Sequence, residues 1–173
     1  MASPEGTNDR IDLLREARRQ WETHWGEEPA PAMAAVTTLM RAQQILMGHL
    51  NDLLAPYELT FARYEVLMLL YFTKDGALPL GKIGERLQVH PTSVTSLIDR
   101  LERDGYVQRV PHPSDRRTTL ARLTVEGRNI AGQATKLLNE DRFGMGSLDA
   151  TSQEELIDLL DRIREVGGDA VKS

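Results

Sequence analysis

The sequence predicts a mostly α fold that carries one small β-hairpin, and three observations predict it. Apolar residues recur at helical spacing through most of the chain. Alternating strand-forming residues appear in two adjacent runs, Tyr106 to Val110 and Thr118 to Leu123, joined by a loop with two prolines and adjacent arginines. A short helix, a tight connection and a second amphipathic helix stand immediately before those runs. That order is the grammar of a winged helix-turn-helix, with the hairpin as its wing.

Asn8 or Asp9 can cap a first helix that runs to about Trp25, with Leu14, Ala17, Trp21 and Trp25 along one stripe. Gly26 and the Glu-Glu-Pro-Ala-Pro run end it. The tryptophans invite a ligand-stacking reading, but aromatics at helical spacing usually serve burial against the core or a partner subunit. Ala32 to Leu54 is the longest apolar helix, its broad face including Val36, Leu39, Met40, Leu46, Leu50 and Leu54. Such a helix is central to a core or part of a subunit interface, and His49 within it reads as structural. Pro56 breaks the pattern, and Thr60 caps a helix from Phe61 to about Phe72 whose apolar residues crowd more than one face. Lys74-Asp75-Gly76 is a turn. Ala77 to Leu80 reads as a short edge strand, the only kind that tolerates Pro79.

Gly81 to Gln88 forms the first helix of the helix-turn-helix, with Ile83 and Leu87 facing inward. The second starts at Pro91, because proline suits the first helical position. Val94, Leu97, Ile98 and Leu101 form its buried stripe, and the opposite side collects Thr92, Ser93, Thr95, Ser96, Asp99, Arg100 and Arg103. Ser and Thr are poorer helix formers than the Glu, Lys and Gln of a merely solvated face. Short hydroxyl side chains make sense if this face must come close to something, and the major groove of DNA offers donors and acceptors they can read. Asp104-Gly105 stops the helix. The hairpin tip carries Arg116 and Arg117, which can lie along phosphates or in a narrow minor groove. Beyond the wing, Thr124 caps a helix running toward Asn139, interrupted by Phe143-Gly144-Met145-Gly146. Thr151-Ser152-Gln153-Glu154 reads as a capping box for a last helix that ends at Gly167-Gly168.

Charge distribution supports the same reading despite a net charge of −5. Residues 1–56 hold five basic and eight acidic side chains, residues 57–138 twelve and nine, and residues 139–173 four and nine. The positive charge therefore sits with the helix-turn-helix and wing, while an acidic remainder limits non-specific association. Cysteine is absent, which excludes disulfides, thiolate metal sites and thiol redox switches. No uninterrupted apolar run reaches a membrane span, and no basic start precedes an apolar stretch, so the cytoplasm is the expected location. His24, His49, His90 and His112 lack metal-ligand spacing, and neither a Gly-rich phosphate loop nor a nucleophile motif appears. An enzyme, a metal site and a bound cofactor are therefore not expected. A protein-docking winged helix is the alternative to DNA binding.

At this point the chain resembles the MarR family of bacterial transcriptional regulators. The resemblance covers roughly Val36 to Ile163 and rests on Leu59-Thr60, Tyr64-Glu65-Val66-Leu67, Ser96 to Glu102, Gly105-Tyr106-Val107, Asp115-Arg116-Arg117 and Leu123 to Gly127. It implies a homodimer that binds a pseudo-palindromic double-stranded DNA operator, usually as a repressor, and releases it when a small aromatic or phenolic effector enters. It also implies that Thr92, Ser93, Thr95 and Ser96 face bases or phosphates and Arg100 and Arg103 the backbone. Arg116 and Arg117 belong to the wing, where Arg117 enters the minor groove, oriented by a charge-assisted bond that it donates to Asp115. The N-terminal helix with Trp21 is similar to the urate-responsive branch, but Glu65 stands at an aspartate position and Leu97 at an arginine position. Trp21 and Glu65 are kept as effector-binding candidates and no ligand is named. The expected organisation is an extension over 1–31, a dimerisation helix over 32–56, the winged lobe over 57–124 and C-terminal dimerisation helices over 125–173.

Overall fold

The computed structural model describes residues 12–115 and 117–168, and the chain divides into two compact units between Gly48 and His49. In the first unit, α1 (Leu13–Trp25) is capped by Asp12, whose Oδ1 accepts from the N–H groups of Leu14 and Arg15 at 3.1 and 3.3 Å. Asn8 and Asp9, the caps expected from sequence, lie outside the described residues. Trp21 and Trp25 stand one turn apart with ring centroids 6.2 Å from each other. The next helix, α2 (Ala30–Leu54), starts two residues earlier than predicted. Pro31 falls in its first turn, where a missing N–H costs nothing, so the proline opens the helix instead of preceding it. Its side chains Val36, Met40 and Ile45 are exposed.

The second unit takes the last turns of α2 and continues through α3 (Phe61–Tyr71), β1 (Ala77–Pro79), α4 (Leu80–Leu87), α5 (Pro91–Arg103), β2 (Val107–Pro111), β3 (Thr119–Leu123), α6 (Val125–Glu140) and α7 (Ala150–Val166). Helix α3 is anchored twice at its start. The Thr60 hydroxyl accepts from Arg63 N–H, and Asn51 Oδ1 accepts from Phe61 N–H at 2.8 Å. It buries Tyr64, Val66, Leu67 and Leu70, more than one face, as its composition predicts. The three strands are antiparallel in the order β1-β3-β2. Pro79 does sit on an edge strand, paired with Leu120. Strand β2 begins at Val107 and not Tyr106, because Tyr106 N–H is spent on Leu101 C=O at 2.8 Å and closes the end of α5. Leu67, Leu70, Ile83, Ile98, Leu101 and Leu138 are fully buried and join α3, α4, α5 and α6 in one core.

Two further caps shape the second unit. Thr124 accepts from Gly127 N–H at 2.9 Å and donates to Gly105 C=O at 2.8 Å, so one hydroxyl starts α6 and ties it to the end of α5. At α7 the cap is Asp149, which accepts from Ser152 N–H at 2.8 Å, and Thr151 lies inside the first turn. The capping box read at Thr151 is therefore displaced: an aspartate two residues earlier reaches the free N–H first. Helix α7 leaves Ile157, Leu159, Ile163 and Val166 exposed. No described helix is long and apolar enough to cross a membrane.

Candidate nucleic-acid interface

The candidate surface is built on α5. Pro91 fills its first position, and His90 Nδ1 accepts from Thr92 N–H at 3.3 Å, so a histidine does the capping usually done by Ser, Thr, Asp or Asn. Val94, Ile98 and Leu101 are buried and Leu97 is half-buried, which pins one side of the helix. The opposite side carries Thr92, Ser93, Thr95 and Ser96, all exposed. Thr95 donates its hydroxyl to Pro91 C=O at 3.1 Å, leaving the oxygen's lone pairs available. Arg100 is exposed and has no ion-pair partner among the described residues. Arg103 Nε lies 3.5 Å from Asp104 Oδ1, a carboxylate whose other oxygen receives Arg63 Nη1 at 3.2 Å. That second pair is largely shielded and fixes the C-terminal end of α5 to the start of α3.

The wing is the β2–β3 hairpin. His112 N–H donates to Thr118 C=O at 3.1 Å and closes its neck. Asp115 organises the tip through the backbone: Oδ1 accepts from Arg117 N–H at 3.0 Å and Oδ2 from the Thr118 hydroxyl at 2.6 Å. These bonds, the hydroxyl first, hold its carboxyl below the usual carboxylate range. The expected link from Asp115 to the Arg117 guanidinium is thus replaced by a turn-capping one, because an aspartate two residues back reaches the N–H more readily than the end of a long side chain. The Arg117 side chain is left exposed without an ion-pair partner among the described residues. Arg116 lies outside the described residues.

Three features escaped the sequence reading: the His90 cap, the Arg63–Asp104 pair and the contacts of Arg109. The Arg109 guanidinium bonds Glu102 and, at 2.5 Å, Asp99 Oδ1, while its backbone N–H donates to Glu102 Oε1 at 2.8 Å. Glu102 is lowered by that backbone bond first and by the guanidinium second. The available signal was two carboxylates three residues apart on a helix, followed by an arginine on the next strand.

Of the effector candidates, Glu65 helps to line a groove of about 520 Å³ whose apolar walls include Tyr64, Met68, Phe72, Leu87 and Phe143, with Arg86 as its other charged member. Burial pushes the Glu65 carboxyl up. Trp21 belongs to the first unit, 38% exposed. The described residues contain no cluster of His, Asp and Glu able to hold a metal.

A fixed helix with an exposed hydroxyl face beside an arginine-bearing wing defines a winged-helix DNA-binding regulator. The comparisons narrow the class. The model of the MarR family matches residues 59–119. The structure of Sco5413, a MarR family transcriptional regulator from Streptomyces coelicolor, is 49% identical, with 81% of this chain and 99% of that chain covered and a TM-score of 0.75. The transcriptional regulator BilQ of Clostridioides difficile is 27% identical over 114 residues, 65% of this chain and 76% of that protein. A mutant MarR from E. coli complexed with operator DNA shares the fold at 24% identity, a TM-score of 0.69, and coverage of 79% of this chain and 97% of that one. The chain belongs to the MarR family.

Proposed function

We propose that this protein is a ligand-responsive repressor that binds, as a homodimer, a pseudo-palindromic operator in double-stranded DNA. The observation that carries the reading is the exposed face of α5, where Thr92, Ser93, Thr95 and Ser96 project opposite a buried stripe, beside the guanidiniums of Arg100 and Arg117, which have no ion-pair partner among the described residues. In this reading α5 enters the major groove, its hydroxyls reading base edges, and Arg100 and Arg103 meet the backbone. The wing lays Arg116 and Arg117 along the adjacent minor groove, with Asp115 capping the turn at Arg117 N–H.

Exposed apolar side chains on α2 and α7 support a second copy, since a solvated monomer has no use for Val36, Met40, Leu159 and Ile163 in water. Residues 32–56 and 125–173 are the dimerisation segments of this scheme, 57–124 the DNA-binding lobe, and 1–31 an extension. Two-fold symmetry then sets two α5 helices one helical turn of DNA apart. The groove beside Glu65 is the size and polarity that suit a small aromatic or phenolic effector. An effector acts by binding more tightly to a dimer whose α5 spacing no longer matches the operator.

A gel-shift with the intergenic DNA beside the protein's own gene tests the proposal, repeated with phenolic and purine ligands. A shifted band that a ligand dissolves supports it. Failure to bind any duplex at low salt refutes it and turns attention to a protein partner for α5.

A further inference from the structure

Two carboxylates lie in line with the hydroxyl face of α5. On α5, Thr92, Thr95, Asp99 and Glu102 follow one another at helical spacings of three, four and three residues, so Asp99 and Glu102 continue the hydroxyl stripe. The Asp99 side chain is 58% exposed and Glu102 38%. Phosphates carry about one negative charge per 1.7 Å of duplex, so bare carboxylates in this stripe would be repelled.

Both are occupied by one residue. Arg109 comes from β2, an edge strand, and its backbone N–H is given to Glu102. Its guanidinium forks to Asp99 and Glu102, and its side chain is only 28% exposed, less than either partner. A planar fork presents its N–H donors in fixed directions and so holds two carboxylates at once, where a lysine offers only a point charge. The contact also joins the base of the wing to the last turns of α5.

We propose that Arg109 is a positioning residue for DNA binding: it draws Asp99 and Glu102 toward β2 and masks their charge from the phosphates beside Ser96 and Arg100. The inference rests on the reading that α5 faces DNA. It assigns Asp99 a bond within the protein instead of a base contact, although an aspartate in a major groove could otherwise accept from cytosine.

The test uses the full-length protein and a 30-bp duplex selected by the wild type from a random pool, with a scrambled duplex alongside. If the wild type selects nothing, the DNA reading fails and not this inference alone. Given a selected duplex, Arg109→Gln should weaken binding about tenfold at 50 mM salt, because two unmasked carboxylates then face the phosphates. The triple variant Asp99→Asn, Glu102→Gln, Arg109→Gln should return to within about threefold of wild type, since nothing then needs masking. A triple variant as weak as Arg109→Gln, or a single variant as tight as wild type, overturns the proposal. Asp99→Asn with Glu102→Gln leaves Arg109 in place and keeps an amide oxygen at residue 102 for the Arg109 backbone N–H. It should tighten binding to both duplexes about threefold at 50 mM salt. Weaker binding confined to the selected duplex would make Asp99 a base-reading group and overturn the masking role.

Discussion

Replacing Gly127 with alanine should destabilise the protein, and the same replacement five residues along α6 should do the opposite. Gly127 is buried in the first turn of α6, where the helix passes against the backbone of Tyr106. A Cβ there would lie 2.0 Å from Tyr106 O, 2.8 Å from Tyr106 C and 3.0 Å from Leu123 Cδ1. The nearest atom is a carbonyl oxygen, which cannot swing aside as a flexible side chain would. The helix must therefore retreat by about 1 Å, and overpacking of this kind costs about 3 kcal/mol at the upper end of its usual range. Alanine returns about 1 kcal/mol through its better helix propensity, leaving a net loss of about 2 kcal/mol. With a urea m-value of about 2 kcal/mol/M, the midpoint should fall by about 1 M. Gly132, exposed on the same helix, has nothing within 4 Å of its Cβ position. Gly132→Ala should raise the midpoint by about 0.3 to 0.5 M. Both are read at one fixed protein concentration, since dimerisation would shift the midpoint with it. A Gly127→Ala protein as stable as wild type would refute the close approach of α6 to Tyr106.

Other residues give separate outcomes. Arg117→Ala should weaken operator binding and flatten the salt slope by about one unit, in a salt titration, if its guanidinium meets a phosphate. Ser96→Ala should alter the ranking of operator variants, and an equal loss on all sequences would mean a backbone contact instead. Asp104→Asn, which removes the charge that Arg63 and Arg103 share, should lower stability by about 1 to 2 kcal/mol in urea denaturation, the shielded Arg63 contact accounting for most of it. Glu65 has a folded-state pKa raised by burial, so its contribution favours folding below its usual value of 4.5 and is lost as pH rises through the raised one. Melting curves of Glu65→Gln and wild type should therefore diverge in the variant's favour between pH 4.5 and 7, and a constant gap would mean that Glu65 titrates normally.

The order of elements was written in the chain because local chemistry dictates it: Pro91 opens α5, Thr60 and Thr124 cap α3 and α6, and Pro79 is confined to an edge. The hydroxyl face of α5 was legible for the same reason, since a helix of known phase separates Val94, Ile98 and Leu101 from Thr92, Thr95 and Ser96. Helix starts were less legible. Asp149 displaces Thr151 because neighbouring residues compete for the same free N–H groups, and Pro31 sits inside its helix because the first turn asks no N–H of it. Contacts between distant residues were not legible at all. Arg63 finds Asp104 across 41 positions, and Tyr64 finds Thr135 across 71. The carboxylates of α5 looked like part of its outward face until β2 brought Arg109 to them. Helical phase places a side chain on a face of its own helix, but only packing decides what that face meets. Local chemistry along the chain therefore lays out a hydroxyl-faced helix and an arginine-bearing wing, and packing settles which of their charges remain free to meet DNA.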